Sequence, residues 1–276
     1  MNFLSYLING ISPGSFYAII ALGFTMAYGI AKMLNFAHGD IIMVGGYAAF
    51  ISMNSLGVNP ILAVILSVVI CTILGLVIER VAYRPLRNAS SPLAVLITAI
   101  GVSYLLQNLA LLMFGRGKLT ISGETIVTVL ACMINMIGLT LSINKTKAGQ
   151  AMLAVSEDRG AAQLMGINVN GTIALTFAIG SALAAIAAVL LCSAYPSLTP
   201  YTGAMPGIKA FVAAVFGGIG SIPGALIGGI LLGIIEILGK AYISSQMADA
   251  IVFGVLIVVL LVKPSGLLGK QIQEKV

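Results

Sequence analysis

Apolar runs of membrane-crossing length fill most of this chain, and they decide the fold class before any motif is read. Phe3–Ile30, Pro60–Ile78, Leu93–Phe114 and Thr172–Ala194 carry no charged residue. Each approaches or exceeds the roughly 20 residues that a helix needs to cross a bilayer. Thr125–Ile143, Ala225–Leu238 and Ala250–Val262 continue the pattern. Charged residues make up 8% of the sequence and hydrophobic ones 59%, against about 25% charged in a soluble domain. A surface so poor in charge cannot face water all round, and the mean hydropathy of +1.11 agrees. Only helices and closed barrels satisfy the backbone in lipid. Barrel strands would show short alternating segments instead of long apolar runs. The sequence therefore predicts an all-α, polytopic membrane bundle with about eight crossing or re-entrant segments. Residues 1–276 read as a single domain.

Two stretches are too short or too glycine-broken for simple spans: Phe36–Met53 and Met205–Gly224. Each joins a small-residue helix to a glycine-containing break. Paired interrupted segments in two halves of a chain are expected around a transport pathway. The candidates there are Asn35, His38, Gly39 and Asp40 in the first stretch, and Gly217, Gly218, Gly220 and Pro223 in the second. If the first stretch is re-entrant, the N-terminus is cytoplasmic; if it spans, the N-terminus is outside. The re-entrant form is favoured here. The start of the chain lacks a basic n-region and reads as a first membrane helix.

Basic residues set the orientation. Arg80, Arg84 and Arg87, then Lys145, Lys147 and Arg159, then Lys263, Lys270 and Lys275 share one face, which is assigned to the cytoplasm. Arg116, Lys118 and Lys240 fall on the other. The pI of about 9.3 thus reflects topology, and nucleic acid is not an expected partner. Cys71, Cys132 and Cys192 lie in separate apolar segments and read as buried small hydrophobes.

The longest polar interruption is Asn144–Asn170. Ser156 is placed to cap a short helix, with Glu157 and Asp158 in its first turn. Ala161, Ala162, Leu164 and Met165 follow as an apolar face, and Gly166 is a suitable stop with Ile167 making the accompanying contact. Capping alone makes a helix lying on the membrane. A small apolar face at the cytoplasmic surface favours docking on a partner protein.

His38, the sole histidine, and Asp40 are expected to cap and anchor the start of the next helix, since no nucleophile accompanies them. Lys209 can snorkel, and Glu236 can pair with it or with Lys240. Gly115-Arg116-Gly117-Lys118-Leu119 superficially resembles a phosphate loop. It fails because the first glycine of that motif would fall on Leu112, and Leu119 stands where Ser or Thr belongs. No nucleotide site, metal site or bound cofactor is expected, and the chain is not read as an enzyme. An ATPase, if one drives transport, is another subunit.

Five stretches resemble one family. Leu34–Asp40 (LNFAHGD) with the following Gly45-Gly46-Tyr47, Glu79–Arg87 (ERVAYRPLR), Gly149–Asn168 (GQAMLAVSEDRGAAQLMGIN), Phe211–Gly229 and Leu260–Gly269 are similar to the signatures of branched-chain amino acid ABC importer permeases, of the H-type in the leucine/isoleucine/valine system. The stretch Phe114–Thr125 is shorter than the usual external loop. The resemblance implies a plasma-membrane permease paired with a second permease, two cytoplasmic ATPases and an extracytoplasmic binding protein. It makes residues 145–170 the coupling loop, with Gly149, Ser156, Glu157, Asp158, Ala161, Ala162, Leu164, Met165 and Gly166 as the ATPase-coupling residues. Permeases for another small solute, such as urea or short amides, share this architecture. A secondary transporter or channel should show more buried carboxylates.

Overall fold

The computed structural model describes residues 3–86, 92–115, 134, 137–139, 141–195 and 197–269. Every element among them is helical. In chain order these are α1 (Phe3–Ala31), α2 (His38–Asn54), α3 (Pro60–Ile78, continued by one π turn and one 3-10 turn to Leu86), α4 (Pro92–Phe114), α5 (Lys147–Glu157), α6 (Arg159–Leu164), α7 (Val169–Ala194), α8 (Ala204–Gly217), α9 (Ile222–Tyr242) and α10 (Ala248–Val262). Within the described residues α1, α3, α4, α7 and α9 are long and apolar enough to cross a membrane, and α8 and α10 are shorter apolar helices. With α2 they form the expected all-α polytopic bundle, as far as the described residues go. Most of Thr125–Ile143, the stretch 116–125 and the failed phosphate-loop motif from Arg116 onward lie outside the described residues.

Local chemistry sets the helix starts. Asn59 accepts from the Ile61 amide at 3.0 Å, with Pro60 at the first helical position, where its missing N–H costs nothing. Asn168 caps α7 through Gly171 at 3.0 Å, and Ser221 caps α9 through Gly224 at 3.2 Å.

Helix α1 is the axis of the bundle, and α9 packs antiparallel along it. A Cβ at Gly14 would lie 2.8 Å from the Ile230 Cα, and one at Gly233 would lie 2.3 Å from the Gly14 Cα. Small residues let helix backbones approach closely in lipid, where no hydrophobic force drives them together. Helix α3 meets α7 in the same way, with Gly75 lying beneath Ser181.

The pattern repeats with inversion. Helix α9 packs on α1 as α3 packs on α7; α8 packs on α1 as α2 packs on α7; and α2–α3 and α8–α9 are matched antiparallel pairs. The three-helix unit α1–α3 therefore recurs, upside down, as α7–α9. Transporter folds use such inverted repeats, with broken helices at their interface.

The two breaks are built alike. After α1, Lys32 adopts a positive φ of 53°, and residues 32–37 climb back along α1. They bring His38, the first residue of α2, beside Gly23 and Phe24. After α7, residues 197–203 descend until Gly203 meets Gly39, and α8 begins there. Each break is an irregular entry followed by a half-length helix.

One expectation is corrected. The Arg159 guanidinium donates to the Ala31 carbonyl, so α1 ends beside the polar loop. Its other end packs Tyr6 against Tyr242, with ring centroids 5.7 Å apart. The N-terminus thus lies on the face opposite the loop. Residues 32–54 complete a crossing that is part irregular and part helical, because the climb to His38 leaves α2 to cover only the remaining distance.

Candidate functional site

The polar loop is two helices, not one. Thr146 caps α5 by accepting from the Gly149 amide at 3.0 Å. Gly149 has no space for a side chain, since a Cβ would sit 2.1 Å from the Ile143 carbonyl oxygen. Ser156 falls in the last turn of α5, where its hydroxyl donates to the Leu153 carbonyl at 2.6 Å. Ser156 is therefore not a cap, and Glu157 ends a helix instead of starting one. Asp158 is the cap. Its Oδ1 accepts from Gly160 at 2.7 Å and Ala161 at 3.0 Å, opening α6.

The end of α6 follows the sequence expectation. Gly166 takes a φ of 81°, and its amide donates to Gln163 while that of Ile167 donates to Ala162, both at 3.0 Å. These two bonds form the Schellman stop. Asp158→Ala should cost about 0.5–2 kcal/mol of local stability, the usual loss for a helix cap. Amide hydrogen exchange should speed up at Gly160 and Ala161 and stay unchanged in α7.

The apolar face of α6 splits in two. Ala162 is only 3% exposed and joins the chain's own core, whereas Leu164 is 90% and Met165 81% exposed. Ala161 and Leu153 also face outward. The exposed face of α6 is thus Ala161, Leu164 and Met165, without Ala162. Sequence reasoning missed Thr146, although Thr is a favoured cap. It also missed Arg159, whose partner is 128 positions away and leaves no local signal.

The second region is where the breaks meet. Gly39 packs on Gly203 and Gly207 with no room for a Cβ at any of the three: at Gly203 it would lie 1.7 Å from the Gly39 oxygen. The buried side chain of Asn35 accepts from the Tyr83 hydroxyl at 2.9 Å. His38 stands edge-on to Phe24, with ring centroids 4.7 Å apart, and fills the space above Gly23. Helix α2 does start at His38, but no side chain caps it. Asp40 instead accepts from the Gln107 amide of α4 at 2.9 Å. His38 and Asp40 therefore anchor the helix start without capping it.

Gly217, Gly218, Gly220 and Pro223 lie elsewhere. They bracket the turn between α8 and α9 at the loop end: Gly217 ends α8, Pro223 lies in the first turn of α9, and Gly218 and Gly220 stand between at φ 107° and φ 94°. The chain after α10 closes over that turn: Leu267 donates to Phe216 and Leu268 to Gly217, both at 2.9 Å. The counterparts of Gly39 are Gly203 and Gly207, which the sequence did not single out. Gly203 ends an uncharged stretch that reads as an ordinary turn.

A charge cluster holds α8 in place. Buried Lys209 meets Glu236 at 3.0 Å and Asp249 at 2.7 Å, and Lys240 meets Glu236 at 2.5 Å. The Tyr17 hydroxyl donates to the other Glu236 oxygen at 2.8 Å. Glu236 thus pairs with both expected lysines, and Asp249 is an addition.

The family described as branched-chain amino acid transport system / permease component matches residues 6–261. The chain belongs to that family. The permease protein BraD of the Pseudomonas aeruginosa high-affinity branched-chain amino acid transport system is 44% identical over 303 residues, covering 100% of this chain and 98% of BraD. The permease protein LivH of the corresponding Escherichia coli K12 system is 44% identical over 304 residues, with the same coverage. As a member of this permease family the chain is a transport component with several membrane-spanning helices. Among solved structures, PsaBC from Streptococcus pneumoniae in complex with Fab aligns with a TM-score of 0.53 at 14% identity, covering 96% of this chain and 93% of that one. At that identity the likeness speaks to fold alone.

Proposed function

We propose that this chain is the permease subunit of a binding-protein-dependent ABC importer that moves leucine, isoleucine and valine across the cytoplasmic membrane. A second permease pairs with it, two cytoplasmic ATPases drive it, and an extracytoplasmic binding protein delivers the substrate. ATP is consumed by those partners, and this chain binds no cofactor. Residues 145–170 are the coupling loop of a single permease domain. The kinship with BraD and LivH supports the substrate class over other small solutes.

The observation that carries the coupling role is the exposure of Leu164 and Met165 on a fully capped short helix. Such a helix is preorganised, so little ordering is lost when it docks. Burying a large apolar side chain is worth about 1.5–3 kcal/mol, and about 1.4 kcal/mol is a tenfold change in affinity. Leu164→Glu with Met165→Glu should therefore lower co-purification of the ATPase more than tenfold and abolish leucine uptake, with membrane insertion intact. Gln163→Glu, exposed on the same helix, is the control. Undiminished ATPase recovery from the double variant would refute the docking role. Ala162 cannot serve this test, because a charge there would disrupt the chain's own core.

A further inference from the structure

We infer that the cleft between the end of α3 and the start of α7 binds the headgroup of a monoanionic phospholipid. The cleft has a volume of about 300 Å³ and is lined by Leu76, Glu79, Arg80 and Arg84 on one side and by Asn168, Asn170, Gly171 and Ala174 on the other.

The α3 surface leads into it. Ile65, Val69, Ile73, Leu76 and Val77 are exposed along that helix, which is apolar enough to cross the bilayer and mostly uncovered by the rest of the chain. The apolar surface ends at Leu76, and Arg80 and Arg84 follow at intervals of four. Helical rise places Arg80 about 30 Å below Pro60. That matches the ~30 Å thickness of the hydrocarbon core. Acyl chains lying on α3 would thus bring their phosphate level with two guanidinium groups.

Those groups are open to a ligand. Both arginines are exposed, and neither has an ion-pair partner among the described residues. Guanidinium forks suit phosphate oxygens, which they bind through paired hydrogen bonds. Basic pockets between membrane helices recognise lipid headgroups in this way. Glu79 forms part of the wall, is buried and is engaged in an interaction of its own. Two cations beside one carboxylate suit a singly charged phosphodiester better than a dianion. Asn168, whose Oδ1 caps α7, keeps its amide NH2 for the glycerol oxygens.

The test uses the whole transporter complex, purified in mild detergent, stripped of lipid and re-exposed to phosphatidylglycerol or phosphatidylcholine. Native mass spectrometry then counts the retained lipid. Wild type should hold phosphatidylglycerol at least fivefold better than phosphatidylcholine. Arg80→Gln with Arg84→Gln should remove that preference, and Arg80→Lys with Arg84→Lys should keep part of it. Lys263→Gln, at the same membrane face but outside the cleft, should behave as wild type. Equal retention of both lipids by wild type overturns the inference, as does full displacement of the lipid by millimolar inorganic phosphate, which would make this a free-anion site. If the Gln variant keeps its lipid but loses the ATPase, the arginines serve docking and the inference again fails.

Discussion

Gly203→Val should leave almost no assembled permease. A Cβ at that position would lie 1.7 Å from the Gly39 oxygen and 2.7 Å from its carbonyl carbon. The obstacle is backbone, so no side chain can swing away. Relief requires the starts of α2 and α8 to move apart, and both are fixed, α2 to α1 through His38 and α8 to α9 through Lys209. Overpacking a fitted core costs about 1–3 kcal/mol, and valine adds its two methyl groups to the clash, so the loss should reach the top of that range or exceed it. A fluorescent fusion followed by size-exclusion chromatography should show the monodisperse peak reduced at least fivefold. Gly101→Ala is the control, since nothing lies within 4 Å of a Cβ there. A Gly203→Val protein that melts like wild type would mean that the two half-helices do not need to touch.

Glu236→Leu should be nearly as damaging. It leaves buried Lys209 with Asp249 alone, brings Lys240 near it without a shared anion, and strips the Tyr17 hydroxyl of its acceptor. Removing one partner from a buried ion pair costs about 3–5 kcal/mol, because the remaining charge stays buried. A thiol-reactive dye reports unfolding through buried Cys71 and Cys192, and its melting curve should shift down strongly. Combining Glu236→Leu with Lys209→Met should cost less than the two single losses together, as coupled neighbours do. Strict additivity would show that Lys209 and Glu236 act independently and that α8 is held by packing alone.

The sequence was most readable where local chemistry decides the structure. Long uncharged runs gave the all-helical membrane bundle. Gly166 and Ile167 announced the stop of α6, because a Schellman ending depends on residues within a few positions of one another. Phe36–Met53 and Met205–Gly224 were legible as a pair of interrupted segments. The reading failed where a residue's role depends on what lies opposite in space. Gly217, Gly218 and Gly220 attract attention as a glycine cluster, yet they make a turn. Gly203, alone among turn residues, is the one that touches Gly39. Ala161 and Ala162 look equivalent in a helix of six residues. Ala162 turns inward onto the core and Ala161 outward, and no local signal predicts which. Ser156 was displaced as a cap because α5 already occupies that position, leaving Asp158 to open the next helix.

The paired breaks also constrain the order in which the protein can be made. Residues 32–37 and 197–203 are irregular backbone at membrane depth, which lipid alone cannot accommodate. Each requires protein around it. The second stretch leaves the ribosome when α1, α2 and α3 have already been synthesised, so its surroundings exist in advance. The first finds only α1 and the end of α3 in its own half, through Phe24 and Tyr83; α7, which covers α2, emerges more than a hundred residues later. The N-terminal half is therefore expected to stay with the insertion machinery until α7 and α8 complete the shelter of its entry segment. Biogenesis of this protein is asymmetric even though its architecture is nearly symmetric. A ribosome-stalled fragment ending before α7 should still be held by the insertion machinery, whereas one ending after α9 should be released into the bilayer.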